Sequence, residues 1–226
     1  MSLSPGDRIE ALGVAADRSG RPVDLLEKDV WVVWVLDILF NEDYGNDLTF
    51  KGGTSLAKAY AAIRRFSEDV DLTYDIRALL PEETRNHNEG LPATRSQQRR
   101  WSSRVNEQLP RWIDERVLPV IREHLAATGA SGEVRAERSC VFLKYAPEVA
   151  GAAAYVRREV MIEFGARSTG EPSTVLPITC DAAAYLPEIA FPTARPRVMV
   201  ADRLCCRDWR SATAGARRGS PEGARG

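Results

Sequence analysis

With 226 residues, 44% of them hydrophobic, the chain has material for one ordinary core and a small appendage. Its formal charge of −1 neither demands nor excludes nucleic acid, so any basic surface has to be local. No apolar run approaches the ~20 residues that cross a bilayer, and the opening Met-Ser-Leu-Ser-Pro-Gly-Asp does not read as a signal peptide.

The first predicted element is a helix over residues 24–40, with Asp24 placed to cap it. Its Val-Trp-Val-Val-Trp-Val-Leu centre is also β-prone, so a strand is the alternative there. A turn region over 41–47 leads to a brief strand over 48–50, and Gly52 and Gly53 follow at once. Leu56, Ala59, Tyr60 and Ile63 then predict a helix over 55–65. A strand over 70–74 carries Asp69 and Asp71 at its start. Turn formers predict a mobile loop over 81–96. Helical spacing resumes over 97–127, where Pro110 and Pro119 each start a turn or kink the helix. The tryptophans Trp31, Trp34, Trp101 and Trp112 fall in these helical patterns and read as packing residues.

Residues 139–145 and 155–164 alternate like strands, joined by an Ala/Gly-rich loop. In the second, Val156, Val160, Ile162 and Phe164 share one face, while Glu159, Met161 and Glu163 share the other. Residues 175–178 and 189–191 are expected as edge pieces. Cys140, Cys180, Cys205 and Cys206 match no zinc spacing, which favours a cytosolic, metal-free reading of them. His87 and His124 read as ordinary loop and helix residues. Beyond about residue 200 the chain turns to Ala, Arg, Gly, Ser and Pro without periodicity. Residues 201–226 are therefore expected as a disordered or out-of-frame tail, with 1–200 as the folded domain.

Chemistry concentrates in Lys51-Gly52-Gly53-Thr54-Ser55 and in Asp69-Val70-Asp71. Glycines between a strand and a helix let backbone N–H groups approach phosphate oxygens, and Thr54 or Ser55 adds a hydroxyl donor. Asp69 and Asp71 alternate on a strand, so both carboxylates face one side, about 7 Å apart along the chain from twice the strand rise. That arrangement suits hard divalent cations held against a triphosphate. Taken singly, the glycines have a second reading as a helix entry turn, the aspartates as a solvated strand end, and Glu163 as part of an exposed sheet face. Arg157, Arg158 and Arg167 read as surface ion-pair partners or as phosphate contacts.

The string Lys-Gly-Gly-Thr-Ser-Leu-x-Lys-Ala-Tyr, followed by Arg-Phe-Ser-Glu-Asp-Val-Asp-Leu, resembles the AbiEii/AbiGii toxin family within the polymerase-β-like nucleotidyltransferases. The resemblance extends through residues 143–147 and 155–168 to about residue 200. It implies an α+β fold, a small mixed sheet flanked by helices, in a cytoplasmic nucleotidyltransferase encoded beside an antitoxin. It further implies Mg²⁺ (or Mn²⁺), a nucleoside triphosphate as substrate, and an RNA acceptor such as tRNA, or a protein acceptor, with no membrane. By that resemblance Lys51, Gly52, Gly53, Thr54, Ser55, Lys58, Arg65 and Ser67 hold the nucleotide, and Asp69, Asp71 and Glu163 hold the metals, with Glu163 as general base or metal partner. The family's later lysine and aspartate have no assignable counterpart here, since no lysine follows Lys144. A catalytically impaired, truncated or frameshifted remnant that only binds nucleotide or antitoxin is therefore the alternative. A small-molecule nucleotidyltransferase is a second.

Overall fold

The computed structural model describes residues 5–63, 69–87, 89–146 and 157–201. Helix α1 (Pro5–Ser19) begins on a proline, whose missing N–H costs nothing at that position, and stops before Gly20 at φ 69°. It is not among the expected elements, because its buried residues Ala11, Leu12 and Ala15 form only a faint apolar stripe. In α2 (Val23–Asn41) the helix alternative wins over the strand. Pro22 rather than Asp24 occupies its N-cap position, and Asp24 sits in the first turn. The helix is buried without a break from residue 26 to residue 36, which is why its sequence over residues 30–36 is apolar on every side.

A 3₁₀ turn (Asp43–Asp47) leads into β1 (Leu48–Lys51) and directly into α3 (Gly52–Lys58). This corrects the helix expected over 55–65. The glycine pair is itself the first turn of α3, and Ala61 at φ 50° is incompatible with continuing it. After β2 (Asp69–Tyr74) come two single-turn helices, α4 (Ile76–Leu79) and α5 (Pro81–Thr84), so part of the expected loop is helical. Asp75 caps α4 by accepting from the Arg77 amide, and Thr94 caps α6 (Arg95–Trp112) by accepting from the Gln97 amide. Pro110 lacks the N–H that would continue the ladder, and a π-helical turn (Ile113–Val117) joins α6 to α7 (Leu118–Ala127).

The hairpin of β3 (Gly132–Glu137) and β4 (Cys140–Tyr145) turns at Arg138, φ 55°. Then follow β5 (Glu159–Gly165), β6 (Ser173–Val175), β7 (Ile178–Thr179), β8 (Thr193–Ala194) and β9 (Arg197–Met199). β3, β8 and β9 are unexpected strands, whereas residues 189–191 form none. Seven strands make one sheet in the order β3-β4-β5-β2-β1-β9-β6, and β7 and β8 pair separately. β2 and β5 are parallel, as are β1 and β9, and the other pairs are antiparallel. The mixed sheet with helices is the expected α+β class.

Alternation gives this sheet two unlike faces. Val70, Leu72, Val141, Leu143, Val160, Ile162 and Phe164 are buried together on one. Trp112 stacks on Tyr74 there at 4.0 Å and meets Phe164 edge-on at 5.7 Å, while Trp31 stacks on Tyr145 at 5.3 Å. Trp31, Trp34 and Trp101 are buried, as packing residues should be. The opposite face stays open over β2, β5 and β4, and it carries the carboxylates.

Candidate active site

Register, more than sequence spacing, assembles the site. Lys51 on β1 lies opposite Asp71 on β2, Asp71 opposite Glu163 on β5, and Glu163 opposite Cys140 on β4. Directly opposed residues share a face, so one row of side chains runs Lys51, Asp71, Glu163, Cys140. Asp69 stands one step along, opposite Met161. Asp69 and Glu163 are exposed and Asp71 half-buried, while Val70, Leu72, Ile162 and Phe164 between them point into the core. Two residues some ninety positions apart in sequence thus become neighbours because β5 lies parallel to β2.

The glycine segment closes on this row from the β1 side. Gly52 adopts φ 78°, and a Cβ there would sit 2.0 Å from Asp71 Oδ2. Only glycine combines that backbone with that approach. Gly53 is half-buried beside it. Thr54 and Ser55 are both buried, and their hydroxyls are already engaged. Thr54 Oγ1 donates to the Asp69 carbonyl, and Ser55 Oγ donates to the Gly52 carbonyl at 2.8 Å. In this structure, therefore, both hydroxyls tie the segment to β2 and to itself; neither is turned outward as an anion donor.

Lys58 is placed differently from the expectation. Its ammonium lies 2.6 Å from Asp29 Oδ1 and 2.8 Å from Asp181 Oδ1, at the far end of α3 from the glycines. Burial works against its charge, but the two carboxylates outweigh that and hold its pKa above the ordinary lysine range. It belongs to a buried ion cluster and not to the open row. Arg65 and Ser67 lie outside the described residues, as does the tail expected over 201–226 beyond Ala201.

Beside the row, a cavity of about 800 Å³ is lined by Lys51, Thr73, Asn106, Arg138, Glu163 and Arg167 among others. That is the size range of small-molecule sites. Sequence reasoning missed Asn106 and Arg138, because nothing local announces that α6 and the β3–β4 turn meet β5. Arg95 and Arg99 lie on the same face of α6 as Asn106, by their spacing of four and seven residues. Arg95, Arg99, Arg138 and Arg167 are exposed, and none makes an ion pair with a described residue. The Cys140 thiol is pushed above its ordinary range, first by burial and then by Glu163, with Glu137 and Asp69 adding to it.

Asp69, Asp71 and Glu163 offer carboxylate oxygens, which fit a hard divalent cation. Among the described residues no group of three or more His, Cys, Asp or Glu side chains is placed to hold a metal ion. Mg²⁺ is ordinarily bound by one or two carboxylates, with substrate phosphates and water completing the shell, so an open pair suits it better than a cage.

The family profile described as nucleotidyl transferase AbiEii toxin, type IV TA system, matches residues 34–213, a span holding every element of this site. The chain belongs to the AbiEii nucleotidyl transferase toxin family. Among solved structures it is similar to MenT4, a nucleotidyltransferase toxin from Mycobacterium tuberculosis H37Rv. The identity is 19% and the TM-score 0.47, with 92% of this chain and 58% of that one covered. The chain therefore spans well under two thirds of that protein's length. No curated protein matches the sequence.

Proposed function

We propose that this chain transfers a nucleotidyl group from a nucleoside triphosphate to an RNA acceptor, with Mg²⁺ held at Asp71 and Asp69 and with Glu163 beside them as the general base. The observation that carries the reading is the opposition of Asp71 and Glu163 on parallel strands, with Gly52 closed against the Asp71 carboxylate. Asp71 and Asp69 would hold the cation, which would supply charge neutralisation at the triphosphate oxygens and polarisation of the α-phosphorus. The protein's own share is positioning. Gly52 and Gly53 bring backbone close to the carboxylates, and Lys51 adds positive charge at the mouth of the cavity. Glu163 accepts the proton of the acceptor hydroxyl as that oxygen bonds to the α-phosphorus and pyrophosphate leaves. Arg138 and Arg167, exposed and lining the cavity, support RNA over protein as acceptor, since they place cationic charge at one cleft of a chain whose formal charge is −1. An antitoxin encoded with the chain is its expected functional partner in a type IV system.

Incubation with each α-labelled triphosphate, Mg²⁺ and total RNA tests this. Label is expected in RNA with one triphosphate preferred, and is expected to vanish with EDTA. Label appearing in protein alone, or nowhere, would refute the RNA acceptor or the transferase reading respectively.

A further inference from the structure

α3 has little hydrophobic hold on the molecule. It is seven residues long, too short to be stable on its own. Its one fully apolar buried side chain, Leu56, packs with Met199 in a small cluster apart from the main core, joined by Tyr60 and Ile63. Yet Gly52, in its first turn, lies so close to Asp71 that a Cβ there would overlap the carboxylate. What fixes the other end is polar. Lys58 bridges Asp29 on α2 and Asp181 at the 3₁₀ turn Asp181–Ala184. The Asp181 amide donates to Asp29 Oδ2 at 2.6 Å, and Arg21 pairs with the outer oxygen of Asp181. Asp29 is 1% exposed, so the cluster is anchored in the longest buried helix.

The cluster is balanced: two carboxylates, one ammonium and one guanidinium. Charges as buried as those of Asp29 and Lys58 are costly to bring together and are most readily explained where they fix a geometry that apolar packing would leave loose. A rigid link matters here because displacing a reacting group by about 1 Å costs roughly a hundredfold in rate.

Resting on the transferase reading above, we infer that Lys58, through Asp29 and Asp181, is a positioning residue that holds the Gly52–Gly53 turn against the Asp71 carboxylate. It touches no substrate. It sets where the triphosphate is gripped.

The test pairs two neutralising substitutions, Asp29→Asn with Lys58→Met. Asn keeps an acceptor for the Asp181 amide, and no charge is left uncompensated at the centre. Lys58→Met alone should melt well below wild type, and the pair should recover most of that loss. Even so, the pair should bind Mg²⁺ and a labelled nucleoside triphosphate about 10- to 100-fold more weakly than wild type. The amides of residues 52–57 should also exchange faster while the rest of the chain exchanges normally. Asp181→Asn, at the half-exposed rim, serves as a second variant: unchanged melting, with affinity lowered about 3- to 10-fold. Variants that bind and exchange like wild type overturn the inference alone. A wild-type chain that binds no triphosphate overturns it together with the transferase reading.

Discussion

The two ends of α3 meet carboxylates of opposite kinds. At its C-terminal end Asp29 and Asp181 are matched by Lys58 and Arg21, and Asp29 is almost wholly removed from water. At its N-terminal end Asp69 and Glu163 are exposed and make no ion pair with a described residue, and Asp71 lies between Lys51 and Glu163 in the row. The first cluster is complete as it stands, so its worth is geometric. The second concentrates negative charge on an open face, an arrangement that like-charge repulsion makes unfavourable until a cation joins it. The difference teaches how to tell a structural carboxylate from a functional one within a single chain. Asp29 is buried with its counter-charge, whereas Asp69 and Glu163 stand exposed without an ion pair to a described residue.

The contrast is broken most directly at the open end. Asp71→Ala, or Asp69→Ala, should abolish transfer, by about three orders of magnitude or more. Because these carboxylates repel their neighbours, melting temperature should stay within about 2–4 °C of wild type, the shift that ~1 kcal/mol makes in a chain of this size. Calorimetry alongside the transfer assay decides it: activity and stability lost in proportion would place the open row in the same class as the buried cluster.

Glu163→Gln sharpens the role within the row. Triphosphate affinity should persist while turnover falls by about two to four orders of magnitude, the usual share of a general base. Single-turnover kinetics beside equilibrium binding separate the two, and wild-type turnover would remove Glu163 from the chemistry.

The smallest effect is expected where the two ends communicate. Gly52→Ala introduces a Cβ into the Asp71 carboxylate and a strained φ, at about 1–3 kcal/mol. A fall of several degrees in melting temperature, with transfer reduced about 10- to 100-fold, is expected from the displaced carboxylate. An unaffected enzyme would show that the close approach of Gly52 is incidental.

Much of this was legible from the chain alone, because it depended on local pattern. The glycine pair after a short strand, the alternating aspartates and the two-faced strand ending at Glu163 all follow from period and residue type, and the same string placed the chain beside its family. So did the packing role of Trp31, Trp34 and Trp101. What stayed hidden were pairings between distant segments. Strand β3 borders β4 across a turn at Arg138 whose positive φ no glycine announces. β9 is three residues long and is a strand only because β1 and β6 flank it. Lys58 reads as one more cation near a phosphate site until the fold brings Asp29 and Asp181 to its ammonium. Local chemistry decides which residues can bind or react, since that depends on the side chain and its immediate backbone. Which of them face a substrate and which are spent on holding the frame is decided by long-range register and burial, and only the tertiary structure supplies those.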